Sequence, residues 1–330
     1  MSLGGRRFAA VRFAVGVLVL LAVAMCVTPA IARAQAVIDH IEPKTDRWEE
    51  MYVWSPAMGR TVQLDVLLPA DRTAPHPTLY LLDGDGASDD EGQSTWTLKT
   101  DIVQFFADKP VNVVMPVGGP GTFYTDWIRD DPKLGRVRWE TFLTRELPPL
   151  IDNALSGNGI NAIAGQSMGA QAAATLTVRN PSLYRAMAAY SGCLASDRYD
   201  QFTVRAPVRI KGGDPDNMWG TSTNPEWAAH DPSRHVDQLR GKPVYISAAT
   251  GIPGQHDFTF DPTYKYPDDV FNSVVLELVI HDCTVAFDAV LRAHDIPATV
   301  RYTDFGTHAW YYWQNALHDS WPTLKSGLGL

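Results

Sequence analysis

The order of apolar and polar positions changes character after the first strand-like segment. Residues 62–68 alternate apolar and polar side chains, which is the pattern of an antiparallel strand with one face in solvent. Later strand-like segments are short apolar runs bounded by glycine, proline and aspartate, as in a parallel sheet whose strands are buried on both faces. These runs cover residues 78–82, 111–117, 162–164, 186–191, 244–249 and 298–304.

Helix-like segments alternate with these runs, and most connections are short. They cover 96–107, 139–155, 169–179, 270–293 and 309–319, and Pro148 and Pro149 must bend or restart the second of them. This alternation predicts an α/β fold with a mostly parallel central sheet and helices on both faces. Two irregular stretches, 199–239 and 251–269, are expected at the rim of an active site, because long loops in a compact domain are usually functional.

One segment, Gly165-Gln166-Ser167-Met168-Gly169, joins an apolar run to a helix of small residues. Gly-x-Ser-x-Gly between a strand and a helix is typical of the nucleophile elbow of the α/β-hydrolase fold, in which the serine stands at the tip of a sharp turn. Glycines are expected where a Cβ would clash with the neighbouring strand or helix. The alternative is a tight turn that happens to carry a small polar residue, and the rest of the chain has to decide.

The first 36 residues read as a secretory signal peptide. Three arginines precede an apolar core at 13–27, and small residues ending in Ala32-Arg33-Ala34 place the cleavage site near 34 or 36. An uncleaved membrane anchor is the alternative, but the apolar run is shorter than the ~20 residues that a span needs. Residues 37–330 are then expected to form a single exported domain, secreted or held in the cell envelope.

Charge and cysteine usage exclude several classes of protein. A net charge of −9 without any basic run argues against nucleic-acid binding. Cys26 leaves with the signal peptide, and an exported chain with Cys193 and Cys283 is expected to join them in a disulfide, with two buried free thiols as the alternative. No CxxC or HExxH motif occurs, so neither a metal site nor another cofactor is expected.

A serine nucleophile needs a base within hydrogen-bonding reach, and in this fold the histidine follows the last strand. His308, in Gly306-Thr307-His308, has that position, and Gly306 lets the turn point the imidazole back over the sheet. The rival is His318 on the last helix, which is expected to be a surface residue.

The acid must lie between the serine and the histidine, after the 244–249 strand. By position alone Asp257 and Asp261 are the natural candidates. Glu277 is the alternative, because a lone carboxylate in the apolar run 274–280 should be paired or functional. The pattern leaves this choice open.

Two backbone N–H groups must hold the oxyanion of an acyl-transfer reaction. The first is the amide after the nucleophile, that of Met168. The second should come from the polar loop at 83–87, and we assign it to Asp85.

Six short motifs in order resemble the mycolyltransferases of the antigen 85 complex and their corynebacterial relatives, over residues 40–318. They are Leu81-Leu82-Asp83-Gly84, Met115-Pro116-Val117-Gly118-Gly119, Phe123-Tyr124-Thr125-Asp126-Trp127, Gly165-x-Ser167-Met168, Asp216-Asn217-Met218-Trp219-Gly220 and Gly306-Thr307-His308-x-Trp310. The resemblance implies an α/β-hydrolase that acts as an exported serine acyltransferase. Its substrates would be trehalose mycolates, with trehalose monomycolate or arabinogalactan as acceptor, and association with outer-envelope lipid would follow.

The resemblance also implies roles for individual residues. The nucleophile falls on Ser167, the base on His308, and the acid, ten residues before Phe287, on Glu277. The two oxyanion amides fall on Asp85 and Met168. The two contacts to the sugar fall on Asp83 and Trp310.

Several departures from the family pattern qualify the resemblance, among them Gln166 and Gly169 at the elbow and the short region between Glu277 and His308. Asp85-Gly86 stands where the well-known members carry Leu-Arg, and Ala309 replaces a serine, which fits a corynebacterial, nocardial or rhodococcal branch. Three other functions use the same fold: a secreted carboxylesterase with water as acceptor, a diacylglycerol acyltransferase, and a non-catalytic surface-binding protein.

Overall fold

A central sheet with both antiparallel and parallel strands forms the middle of the fold. The computed structural model describes residue 1 and residues 35–87, 92–196, 199–258 and 268–330. Within those residues nine strands pair in the order β1-β2-β3-β5-β4-β6-β7-β8-β9. The strands are β1 Val37–Pro43, β2 Trp48–Ser55, β3 Arg60–Leu67, β4 His76–Leu82, β5 Asn112–Pro116, β6 Gly157–Gln166, β7 Tyr184–Tyr190, β8 Val244–Ala249 and β9 Thr299–Thr303.

The predicted, mostly parallel sheet is confirmed, with an antiparallel extension at one end. All neighbours from β5 to β9 run parallel. Strands β1, β2 and β3 are antiparallel, and β3 pairs antiparallel with β5. The sequence pattern predicted β3 but missed β1 and β2. In β1 nearly every residue is exposed, so no alternation of apolar and polar side chains marks it.

The helices follow the strands as expected, but several are divided. Their bounds are α1 Thr95–Lys99, α2 Ile102–Phe105, α3 Trp139–Thr141, α4 Leu147–Ala154, α5 Met168–Arg179, α6 Ala206–Ile210, α7 Pro215–Met218, α8 Pro225–Ala229, α9 Asp268–Ala293 and α10 Trp310–Leu328. Shorter π-helical turns cover Phe142–Glu146 and Gln201–Arg205. Single 3₁₀ turns cover Pro232–Arg234, Val236–Leu239 and Gln255–Phe258.

The proline-rich stretch at 199–239 is a series of capped helical turns rather than an open loop. Asp214, Asn224 and Asp231 each accept a hydrogen bond from the backbone N–H two residues later, and each is followed by proline. A proline at the first helical position lacks an N–H that would be unsatisfied there anyway, so these pairs begin turns instead of breaking them. The same rule places Pro148 and Pro149 in the first turn of α4.

Side chains on successive positions of the central strands point into two separate cores. Tyr80 and Leu82 of β4 join the core that contains α4 and α5. Leu79 and Leu81 join the core on the opposite face, where α1, α2 and α10 pack. Helices therefore cover both faces, as the sequence predicted. Helix α10 continues beyond the predicted end at 319, with Pro322 inside it, and it ends at Gly329, which has φ 72°.

A disulfide joins the segment after β7 to the long helix α9. Cys193 and Cys283 are bonded, with an S–S distance of 2.07 Å, and both are buried. The predicted disulfide is confirmed. The predicted signal peptide lies outside the described residues, apart from residues 1, 35 and 36. In the described part of the chain, no helix has the combined length and apolar character that a membrane span requires.

Reduction of Cys193–Cys283 should destabilise the fold. The two cysteines are 90 residues apart, and closing a loop of that length removes enough entropy from the unfolded chain to stabilise the fold by roughly 2–4 kcal/mol. Urea unfolding followed by tryptophan fluorescence, with and without dithiothreitol, measures the difference. The double variant Cys193→Ala/Cys283→Ala should match the reduced protein and be insensitive to the reductant. Equal stability of the oxidised and reduced forms would contradict this expectation.

Candidate active site

Ser167 occupies the sharp turn between β6 and α5. Its backbone has φ 53° and ψ −121°, a strained conformation for a residue with a side chain. The turn is tight on both sides: a Cβ on Gly165 would lie 2.5 Å from the Gly169 carbonyl, and a Cβ on Gly169 would lie 2.4 Å from the Asp83 carbonyl oxygen. Both glycines are therefore required by close backbone approach, as the motif predicted.

Ser167, His308 and Glu277 are hydrogen-bonded in series. Ser167 Oγ and His308 Nε2 are 2.8 Å apart, and His308 Nδ1 is 2.8 Å from Glu277 Oε2. Because an ionised carboxylate only accepts, Nδ1 carries the proton and donates it to Glu277. Nε2 is then free to accept the hydroxyl proton of Ser167. This is the arrangement that a serine nucleophile needs from its base and from the group that orients the base.

Glu277 is completely buried, and its other oxygen is held by two further donors. Ser191 Oγ donates to Glu277 Oε1 at 2.8 Å, and the Ala249 N–H donates to the same oxygen at 2.7 Å. Hydrogen bonds from three segments compensate for removing the charge from water. Sequence reasoning missed Ser191, because a serine after a strand has no local signal that identifies its partner.

The turn that carries His308 is fixed from both sides. Gly306 has φ 145°, donates to the Ile252 carbonyl at 2.7 Å, and lies so close to β8 that a Cβ would be 2.8 Å from the Ala249 methyl. The His308 N–H donates to the Ser273 carbonyl of α9 at 3.2 Å. The imidazole also packs perpendicular to the Trp313 indole, with ring centroids 4.8 Å apart.

Of the two aspartates considered as the acid, the structure describes only Asp257. Asp257 is buried and accepts from Thr307 Oγ1 at 2.5 Å, from the Gly254 N–H at 2.8 Å and from the Tyr312 hydroxyl. It thus holds residues on both sides of His308 without bonding to the imidazole. Asp261 lies outside the described residues. The rival histidine, His318, bonds instead to Asp101 at 2.9 Å.

Two backbone amides at the elbow remain available to a ligand. Met168 begins α5, so its N–H points from the positive end of that helix. Asp85 lies in the turn after β4. In the described part of the chain, neither N–H donates to a backbone carbonyl. Gly84 lies against the side chain of Gln166, where a Cβ would be 2.4 Å from Nε2, so the Asp85 loop packs directly beside the elbow.

Asp83 is nearly inaccessible, with 1% of its surface exposed. Its Oδ2 accepts from Ser94 Oγ and from the Thr95 N–H, both at 3.0 Å, while among the described residues Oδ1 is buried without a hydrogen-bond partner. The same Ser94 donates its N–H to Asp65 at 2.9 Å. Burial raises the pKa of Asp83 to about 7 and that of Asp65 to about 6. A contact between Asp83 and a sugar stays a prediction.

Trp310 begins α10, two residues after His308, and is half-buried. Its indole meets those of Trp96 and Trp313 edge-on, with ring centroids 5.2 and 5.1 Å apart. The three indoles form one aromatic cluster, and Trp313 joins it to the His308 imidazole. Within the described ranges no cluster of three or more histidine, cysteine, aspartate or glutamate side chains could hold a metal ion.

Comparison with known proteins identifies the family. A family model described as "Putative esterase" matches residues 55–324. The diacylglycerol acyltransferase/mycolyltransferase Ag85A of Mycobacterium leprae (strain TN) is 31% identical over 293 residues, which cover 85% of this chain and 83% of the relative. The Ag85B protein of Mycobacterium avium is 30% identical over 300 residues, which cover 85% and 83%. The chain belongs to the antigen 85 branch of this esterase family. The resemblance seen in the six motifs is confirmed.

Solved structures support the fold of this antigen 85 relative. MPT51 (FbpC1) of Mycobacterium tuberculosis superposes with a TM-score of 0.71 at 24% identity, covering 86% of this chain and all of that one. An S-formylglutathione hydrolase from Agrobacterium tumefaciens gives a TM-score of 0.65 at 18% identity, covering 88% and 99%. At these identities the likeness concerns the fold alone, and the predicted α/β-hydrolase fold is confirmed.

Replacing Ser191 with alanine should slow ester cleavage in this antigen 85 relative without weakening substrate binding. The variant removes one of the two donors to Glu277 Oε1, and a hydrogen bond to a charged group contributes about 1.5–3 kcal/mol, or roughly tenfold to a hundredfold in rate. Hydrolysis of p-nitrophenyl butyrate should show a lower kcat with an unchanged KM. Thr177→Val, which removes a buried hydroxyl from α5, is the matched control. Full activity of Ser191→Ala would show that the Ala249 N–H suffices.

Asp83→Asn should flatten the dependence of stability on pH. The folded protein keeps the Asp83 proton up to about pH 7, whereas an unfolded chain loses it near pH 4. Between these values the folded state binds more protons, so the wild-type free energy of unfolding falls as pH rises from about 4 to 7. Urea titrations at several pH values measure that slope. Asp304→Asn, at an exposed position, should leave it unchanged, and an equal slope in Asp83→Asn would refute the assignment.

Proposed function

We propose that this protein is an exported serine acyltransferase that moves a mycoloyl chain from trehalose monomycolate, through an acyl-enzyme on Ser167, to a second hydroxyl. The acceptor would be another trehalose monomycolate, which gives trehalose dimycolate, or arabinogalactan. The observation that carries the proposal is the hydrogen-bonded series of Ser167, His308 and Glu277. It occurs in a chain about 30% identical, over most of its length, to proteins named mycolyltransferases.

Acylation begins with proton transfer from Ser167 Oγ to His308 Nε2. Oγ bonds to the ester carbonyl carbon, and the carbonyl oxygen becomes an oxyanion that accepts hydrogen bonds from the Met168 and Asp85 N–H groups. Glu277 stabilises the imidazolium through the bond at Nδ1. When the carbonyl reforms, the bond to the trehalose oxygen breaks, and that oxygen takes the proton from Nε2. The mycoloyl chain is left on Ser167.

Transfer then repeats the same steps in reverse. A hydroxyl of the acceptor sugar gives its proton to His308 Nε2 while its oxygen bonds to the acyl carbon. The oxyanion forms again at the Met168 and Asp85 amides. Ser167 Oγ leaves with the proton from Nε2, and the enzyme is regenerated. Each step needs only the groups already described, so no cofactor is invoked.

Sugar recognition is assigned to two positions beside this reaction path. Trp310 presents a half-buried indole two residues from His308, and an aromatic face suits the apolar face of a sugar ring. Asp83 Oδ1 is buried and has no hydrogen-bond partner among the described residues. A sugar hydroxyl would bond to it only by displacing the atoms that cover it. The signal peptide expected from the N-terminal sequence supports export, and the reaction would then occur outside the cytoplasm, in the cell envelope or in its lipid layer.

A carboxylesterase is the second candidate function. It would use the same residues and differ only in the acceptor, because water would reach the acyl-enzyme in place of a sugar. The esterase family model and the fold shared with hydrolases favour it. A diacylglycerol acyltransferase, an activity that also appears in the names of the relatives, would again change only the acceptor. A non-catalytic surface-binding role has less support, since it leaves the Ser167 series without a purpose.

Incubation of the purified protein with trehalose monomycolate separates these functions. Transfer yields trehalose dimycolate and free trehalose, whereas hydrolysis yields free mycolic acid, and thin-layer chromatography resolves the products. Ser167→Ala and His308→Gln should each lower turnover by about 10³-fold or more. His318→Gln, which changes the histidine bonded to Asp101, is the matched control and should retain activity. Free acid as the sole lipid product would reject the transferase in favour of the esterase.

A further inference from the structure

The backbone N–H of Asp85 would stabilise an oxyanion, but its carboxylate would repel one. Its N–H is one of the two amides assigned to the oxyanion, but its carboxylate brings a negative charge to the same residue. Like charges a few ångströms apart repel strongly in a partly buried site. The carboxylate cannot move far from the amide, because both belong to one residue. The turn itself is held at the elbow, where Gly84 packs on Gln166 and the Asp83 carbonyl packs on Gly169.

A lysine from the 199–239 excursion approaches this carboxylate. Lys211, at the end of α6, places Nζ 3.7 Å from Asp85 Oδ2. The two side chains are 29% and 27% exposed, so water screens the pair only in part. Burial raises the pKa of the Asp85 carboxyl, and the positive charge of Lys211 opposes that shift. The contact therefore favours the ionised form of Asp85 while neutralising its field.

The Lys211 side chain packs against Gly121, in the loop after β5. Gly121 has φ 69°, and a Cβ there would lie 2.8 Å from Lys211 Cβ, 2.9 Å from Lys211 Cγ and 3.7 Å from Asp85 Oδ1. The stem of Lys211 therefore crosses Gly121 in direct contact and continues to Asp85. Three segments far apart in sequence, the turn after β4, the loop after β5 and the end of α6, meet at this ion pair.

We propose that Lys211 is a positioning residue for acyl transfer: its ammonium group neutralises the Asp85 carboxylate and fixes the Asp85 turn, so that the Asp85 N–H can hold the oxyanion. This inference rests on the proposed function, because it needs an oxyanion to form beside Ser167.

The test is a double-mutant cycle on Lys211 and Asp85, with p-nitrophenyl butyrate as the probe. Lys211→Met keeps the stem over Gly121 and removes the charge, and it should lower kcat by roughly tenfold or more with little change in KM, since removing a whole oxyanion donor costs about 10²–10³-fold. In an Asp85→Asn background the same change should cost less than about twofold, because no charge remains to be neutralised. Lys211→Arg, which restores the charge, should recover most of the rate.

Two comparisons keep the result interpretable. Lys133→Met removes the same charge from a neighbouring lysine whose stem lies against Gly212, and it should leave kcat unchanged. Thermal unfolding of each variant shows whether it is folded. An equal loss from Lys211→Met in both backgrounds would mean that Lys211 acts independently of the Asp85 carboxylate, which would overturn the proposal. No loss of rate in either background would show that Lys211 has no role in the reaction. Hydrolysis that persists in Ser167→Ala would overturn the proposed function itself, and this inference with it.

Discussion

The buried negative charge of Glu277 is the constraint on which the rest of the site depends. A carboxylate removed from water is stable only if hydrogen-bond donors surround it. Its donors come from Ser191 after β7, Ala249 at the end of β8 and His308 after β9. Satisfying one side chain of α9 therefore fixes the carboxyl ends of three neighbouring parallel strands relative to each other, and with them the imidazole that faces Ser167.

Close backbone packing fixes the other half of the site. Ser167 is in a strained conformation, and the strain persists because β6, α5 and the loop after β4 touch through glycines that leave no room for relaxation. The same contacts place the Asp85 turn against the elbow. Ser167 and the Met168 and Asp85 amides are thus positioned by main-chain contacts, whereas His308 and Glu277 are positioned by hydrogen bonds around a buried carboxylate. The two halves meet at the bond between Ser167 and His308.

Features with a local signal could be predicted from the sequence. The elbow combines its motif with the flanking strand and helix, and His308 follows the last strand with a glycine two residues before it. The parallel strands were marked by apolar runs, and the disulfide by a pair of cysteines in a chain that the sequence predicts to be exported. Resemblance to known proteins, rather than pattern, decided between Glu277 and Asp257, because both are buried carboxylates after β8. Their difference lies in which distant donors surround them.

Features that depend on contacts between distant segments were missed, because no local sequence pattern marks such contacts. Ser191 is recognisable only once Glu277 is seen to lie beside it, and Asp257 only once the Thr307 turn is seen to fold over it. The exposed strand β1 lacks an apolar face, so its pairing with β2 leaves no trace in the pattern. The prolines at 199–239 suggested open loops, although each follows a capping side chain and begins a helical turn.

The Cys193–Cys283 bond also changes the topology of the chain. It closes residues 193–283 into a covalent ring that contains β8, the helical excursion with Lys211, and the part of α9 that carries Glu277. A protease that cuts one peptide bond inside this ring cannot release a fragment, because both pieces remain joined through the sulfurs. The segment that carries Glu277 and Lys211 would therefore stay covalently attached to the rest of the chain after a single cut.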